Sequence, residues 1–173
     1  MSGYMDGIPV VRLPCWQYRV MVPERLFDVR GGYTELSEEH AGKMTATVAG
    51  ALWLIDDVQT ARGIVELVDL LTRLTRGVHV DAAEMYEQSG NGWFAVIAET
   101  DVTLTGRYYG DRPPFVLSHE DALAILGQYW DCCRLSGGRA RLRQEVERFT
   151  NVRGRAPEIP FALEQPRVRK HRR

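Results

Sequence analysis

The chain has 173 residues, 45% of them hydrophobic and 26% charged, the balance of a globular protein long enough to bury a core without disulfides or metals. No run of apolar residues is long enough for a membrane-spanning helix, so no membrane contact is expected. The net charge of −1 hides a dipole: residues 28–121 carry 16 acidic and 7 basic side chains, and residues 134–173 carry 12 basic and 4 acidic ones.

That division predicts an acidic body and a basic C-terminal arm. Nearly all the cations are arginine, which favours bidentate contacts but is also what a GC-rich genome produces. The cysteines are Cys15, Cys132 and Cys133, an odd count with two adjacent, which is no disulfide framework. Together with a start, Met1–Asp6, that lacks the basic and apolar stretches of a secretory signal, they predict reduced thiols and a cytoplasmic location.

Pro9 and Pro14 interrupt the lead-in, and the alternation of Cys15–Val22 predicts a strand that ends at Pro23. Arg30-Gly31-Gly32 is a turn signal, and Ser37–His40 fits a short helix or a loop. Met44–Ile55 begins with β-branched residues in alternation, so a strand is preferred over a helix there, with Gly50 as a bulge. Ala61, Ile64, Val65, Val68, Leu71 and Leu74 follow helical spacing. Asp57 is the expected N-cap of that helix, and Gly77 the residue just past its end.

Two strands, Val78–Gln88 and Trp93–Arg107, follow around a Gly90-Asn91-Gly92 turn. Trp93–Ala98 is apolar on both faces, as a central strand should be. Pro113-Pro114 forces a corner, Ser118 caps a helix with Asp121 in the box position, and Ser136-Gly137-Gly138 ends it. Arg139–Thr150 forms a last helix through Leu142, Val146 and Phe149. The expected architecture is α+β: a mostly antiparallel sheet of four to five strands covered on one face by two or three helices. Residues 1–150 form one domain, and the Pro/Arg-rich residues 151–173 are expected to be a disordered tail.

Chemical motifs are sparse. His79 and Asp81 would share a strand face and could orient a base or begin a metal site, but no third ligand has a matching spacing. Ser118-His119-Glu120-Asp121 is accounted for by capping. Asp56-Asp57 could hold a hard cation but reads more simply as a helix cap. Cys132 and Cys133 fall on the apolar side of a helix, where thiols are inert. No phosphate-loop, dinucleotide or hydrolase motif occurs, so neither cofactor nor metal is expected. An acidic sheet surface, with Glu84, Glu87, Glu99 and Asp101, and aromatic residues Trp93, Tyr108 and Tyr109 beside Asp111, is the candidate partner-binding region.

Trp93-Phe94-Ala95-Val96, Tyr108-Tyr109-Gly110-Asp111, Phe115 and the helix opening Ser118-x-Glu120-Asp121-Ala122 resemble the layout of small cytoplasmic immunity proteins of bacterial polymorphic toxin systems. The resemblance covers residues 57–135 and leaves out the first strand and the Arg-rich tail. It implies an α+β build, no enzymatic activity, and an acidic surface that plugs the basic site of a toxin domain.

The sequence therefore favours a non-enzymatic protein-binding module. A nucleic-acid-associated protein anchored by Arg167, Arg169, Lys170, Arg172 and Arg173 is the first alternative. An enzyme of unknown class using His79, Asp81 or His119 is the second. Self-association stays open, because an edge strand such as 15–22 could pair with a second copy.

Overall fold

The computed structural model describes residues 22–164. The expected strand at Cys15–Val22 and the basic cluster Arg167–Arg173 lie outside them, apart from Val22. Two strands, β1 (Phe27–Arg30) and β2 (Tyr33–Leu36), form an antiparallel hairpin around Gly31 and Gly32. Both glycines have positive φ, 57° and 84°, the left-handed conformation a two-residue hairpin needs.

Thr45 then starts a helix where a strand is expected. Its Oγ1 accepts a hydrogen bond from Val48 N at 3.2 Å and caps α1 (Ala46–Trp53). The physical reason is burial: Thr47–Ala51, Trp53 and Leu54 are all inside, so α1 has no polar face and no helical period to read. Gly50 is not a bulge. It lets α1 lie close to its neighbours, since a Cβ there would be 3.0 Å from both Ile125 Cδ1 and Leu117 Cδ1. A wide helical turn, Leu54–Val58, leads to α2 (Ala61–Thr75), whose N-cap is Thr60 rather than Asp57. Thr60 Oγ1 accepts from Gly63 N at 3.1 Å, and Gly77, with φ 70°, closes the other end as expected.

The main sheet is a meander of β3 (Tyr86–Ser89), β4 (Trp93–Ile97), β5 (Val102–Gly106) and β6 (Phe115–Leu117), all antiparallel and in that spatial order. The strand expected over Val78–Gln88 shortens to β3; residues 78–81 are irregular and Ala82–Glu84 make a 3-10 turn. The strand expected over Trp93–Arg107 is two strands, because Ala98–Asp101 folds into a tight turn closed by Ala98 N donating to Asp101 O at 2.9 Å. β4 is central, as its two apolar faces imply.

Ser118 caps α3 (His119–Cys133), its Oγ accepting from Asp121 N at 3.1 Å. The chain kinks at Ser136 and Gly137 and continues as α4 (Arg139–Arg153). α3 packs on α1, α2 and the β1–β2 hairpin, α4 packs on α2, and α1 packs on β5 and β6. The core between helices and sheet contains Trp93, Ile97, Leu104, Leu117, Ile125 and Trp130, each at most 1% exposed. The α+β architecture, with helices on one face of an antiparallel sheet, is as the sequence predicts.

Residues 154–164 have no helix or strand, which the prolines foretell, yet they pack on the domain as a strap. Arg155 donates from Nη1 and Nη2 to the two oxygens of Asp69, both at 2.7 Å, and Glu158 N donates to Asp69 Oδ1 at 2.8 Å. Trp130 Nε1 donates to Ala162 O at 2.9 Å, and the Phe161 ring lies over Gly127, where a Cβ would be 2.8 Å away. The boundary expected at residue 150 is thus not where packing stops: α4 runs to Arg153 and the strap follows it.

Candidate protein-binding face

Partners in an antiparallel pair share a face of the sheet, so the register separates the two surfaces. Ile97, Val102 and Leu117 point inward, as do Ala95, Leu104 and Phe115. Glu87, Val96, Thr103 and Val116 form one outward row, and Ser89, Phe94 and Thr105 the next. None of the outward-row residues is buried. Phe94, on the central strand β4, is 37% exposed and Val116, on the edge strand β6, is 54% exposed.

Charge differs between the ends of this face. Asp101 precedes β5 on the outward side and accepts from Thr103 Oγ1 at 3.1 Å. Glu99, at the tip of the same turn, and Glu87 are exposed and make no ion pair with a described residue. His119 stands behind this end, its Nε2 2.9 Å from Ala98 O, so the ring braces the turn against α3. At the other end Arg107 bonds Ser89 Oγ, and Arg112 is exposed.

The candidate partner residues therefore divide. Glu87, Glu99 and Asp101 occupy the acidic end of the open face. Tyr108, 81% exposed, and Asp111 lie in the β5–β6 loop at the opposite end. Trp93 is not a surface residue: at 1% exposure it is core, and Tyr109 stacks on it with ring centroids 5.2 Å apart. Gly106 makes room for that stack, since a Cβ there would be 2.2 Å from Tyr109 Cδ2. Glu84 does not face Glu99 across the hairpin, because it precedes β3. It pairs with Arg73 at 2.9 Å, and that hydrogen bond holds its carboxyl below the usual value. The exposed apolar pair Phe94 and Val116 was missed by sequence reading; the pairing of β6 with β5 is the missing fact that puts them on one face.

Asp56 and Asp57 have a different task from the one expected. Asp57 Oδ1 accepts from Asn91 N at 2.7 Å and Gly92 N at 3.1 Å, and its Oδ2 from Trp93 N at 2.8 Å. The carboxylate fastens the β3–β4 turn to the wide helical turn Leu54–Val58, and Gly90 must be glycine because a Cβ would lie 2.2 Å from Asp57 Cγ. Asp56 Oδ2 accepts from Trp93 Nε1 at 3.4 Å. Partial burial raises the Asp56 carboxyl above its ordinary value, the indole hydrogen bond opposes this, and the Asp57 charge adds to it.

The groups that could do chemistry do not converge. His79 Nε2 is 3.6 Å from Asp81 Oδ1, but both side chains are about four-fifths exposed, in an irregular segment rather than a strand. Among the described residues no three His, Cys, Asp or Glu side chains gather as metal ligands. A cleft of about 950 Å³ lies between the β1–β2 turn, the start of α2 and the α3–α4 kink, with Tyr129 and Cys133 in its lining. Burial pushes the Cys133 thiol up to about 11 and also raises Cys132 and the Tyr129 hydroxyl, so these three groups stay protonated near neutral pH. No protein-family model, curated protein or solved structure matches this chain.

Proposed function

We propose that the protein is a non-enzymatic binding module whose docking face is the open side of the β3–β6 sheet, and that its partner is a protein with a cationic surface. A toxin domain neutralised by capping of its basic site is the partner class implied by the immunity-protein resemblance. The observation that carries the reading is a sheet packed by helices on one side only, with Phe94 and Val116 exposed on the other. An apolar centre rimmed by charge is the usual anatomy of a protein interface. Glu87, Glu99 and Asp101 make one end of the face acidic, and opposite charge on the partner would steer encounter and fix orientation there.

Affinity purification from the native host with the wild-type chain and with a V116D/E99K variant tests this. The wild type should retain one basic protein at equal stoichiometry, released by salt. That protein should arrest growth when expressed alone and be harmless when this chain is co-expressed. The variant should lose both retention and protection. Equal retention by the variant would remove the sheet face from the account, and a chain that retains no stoichiometric partner would overturn the binding function itself.

A further inference from the structure

The basic arm of the charge dipole contains a pocket that the sheet-face reading does not use. At the α3–α4 kink Gly137 adopts φ 91°, and Gly138 must be glycine because a Cβ would lie 2.6 Å from the Cys133 carbonyl oxygen. The kink brings Arg134, Arg139 and Arg143 around one shallow pocket of about 390 Å³, completed by Leu135, Gly137 and Ala140. α4 starts here with no side chain capping its first turn.

Two of these arginines, Arg134 and Arg139, are under-satisfied. The Arg134 side chain is only 10% exposed. Its Nη2 donates to Asp131 Oδ1 at 3.3 Å, while its Nε and Nη1 are buried with no hydrogen-bond partner among the described residues. Arg139 Nε is in the same condition. A buried guanidinium N–H without an acceptor is costly, and such a group calls for an explanation. One acceptor is already present: Glu164, near the end of the strap, bonds Arg143 Nη2 and has Oε2 3.8 Å from Arg139 Nη1. It leaves Arg134 Nε and Nη1 without an acceptor among the described residues.

We propose that this pocket binds the phosphate group of a small phosphorylated ligand, with Arg134 and Arg139 donating to its oxygens and Glu164 as the carboxylate it displaces. A tetrahedral dianion offers acceptors in three directions and matches guanidinium forks bidentately. A carboxylate offers two in one plane, and the one at hand reaches only two of the three arginines. The site does not depend on the sheet face, and either assignment can fail without the other.

The test titrates the full chain with inorganic phosphate at constant ionic strength near pH 7.5, chloride replacing it in the control, and follows arginine Nε–Hε signals by NMR. Saturable shifts are expected at Arg134 and Arg139. R143Q should weaken binding about tenfold or more through loss of a charge-assisted donor. E164Q should tighten it about three- to fivefold by removing the competing carboxylate. R134K keeps the charge without the fork, serves where R134A does not fold, and should bind weakly. No saturable shift in the wild type and E164Q overturns the proposal, as does unchanged affinity in R134K or E164Q. Glycerol phosphate should bind at least as tightly as inorganic phosphate. A short single-stranded oligonucleotide that binds far more tightly than either would overturn the small-ligand assignment in favour of a nucleic-acid backbone.

Discussion

Asp57 shows how one side chain can be legible in type and wrong in place. A carboxylate before an amphipathic helix is a sound N-cap expectation, yet Asp57 caps a hairpin 34 residues away while Thr60 takes the helix. Nothing local distinguishes the two tasks, because both offer backbone N–H groups to an anion. D57A should cost about 2 kcal/mol in denaturant unfolding, from the loss of hydrogen bonds to a charged acceptor; D57N should cost less. Asp56 carries a pH signature of opposite sign to a salt-bridged acid. Its folded pKa is raised, so its charge opposes folding above that pKa, and the penalty disappears as pH falls through it. D56N should therefore melt higher than wild type at pH 7, with the difference vanishing in acid. Cys133, held protonated up to about 11, should resist alkylation at pH 8 in the folded protein and react after unfolding, as peptide mass mapping would show.

Among the elements, those with one polar face were readable and those without were not. α2 buries Ile64, Val65, Val68 and Leu71 against solvent-facing Arg62, so its period is visible in the sequence. α1 is enclosed on all sides, and its Thr47 and Val48 imitate a strand. The turn at Ala98–Asp101 lacks glycine and proline, which is why β4 and β5 read as one strand. The strap is a third case. Its prolines announce irregular backbone, but its attachment depends on Asp69, which sits on α2 with only 4% exposure and accepts from Arg155 and Glu158. D69A should destabilise by about 2 kcal/mol, because it removes the acceptor of the Glu158 N–H and of the half-exposed Arg155 guanidinium. Limited proteolysis should then cut within residues 154–164 before any other described segment.

At the scale of the molecule, the charge dipole read from composition becomes two separate surfaces. Part of the acidic charge of the body is used in ion pairs with arginine, such as Glu66 with Arg148 and Glu84 with Arg73. Among the rest, Glu87, Glu99 and Asp101 lie toward the β4–β5 end of the open sheet. The sequence could name these acids, but it could not show that Tyr108 and Asp111 lie at the other end, since that follows from strand order alone. Amide hydrogen exchange on the purified complex with the captured basic partner tests the central claim most directly. Protection on binding should concentrate at Phe94–Ala98, Thr103–Thr105 and Val116. Protection confined to the α3–α4 kink and the strap, with the sheet face exchanging as in the free protein, would contradict it.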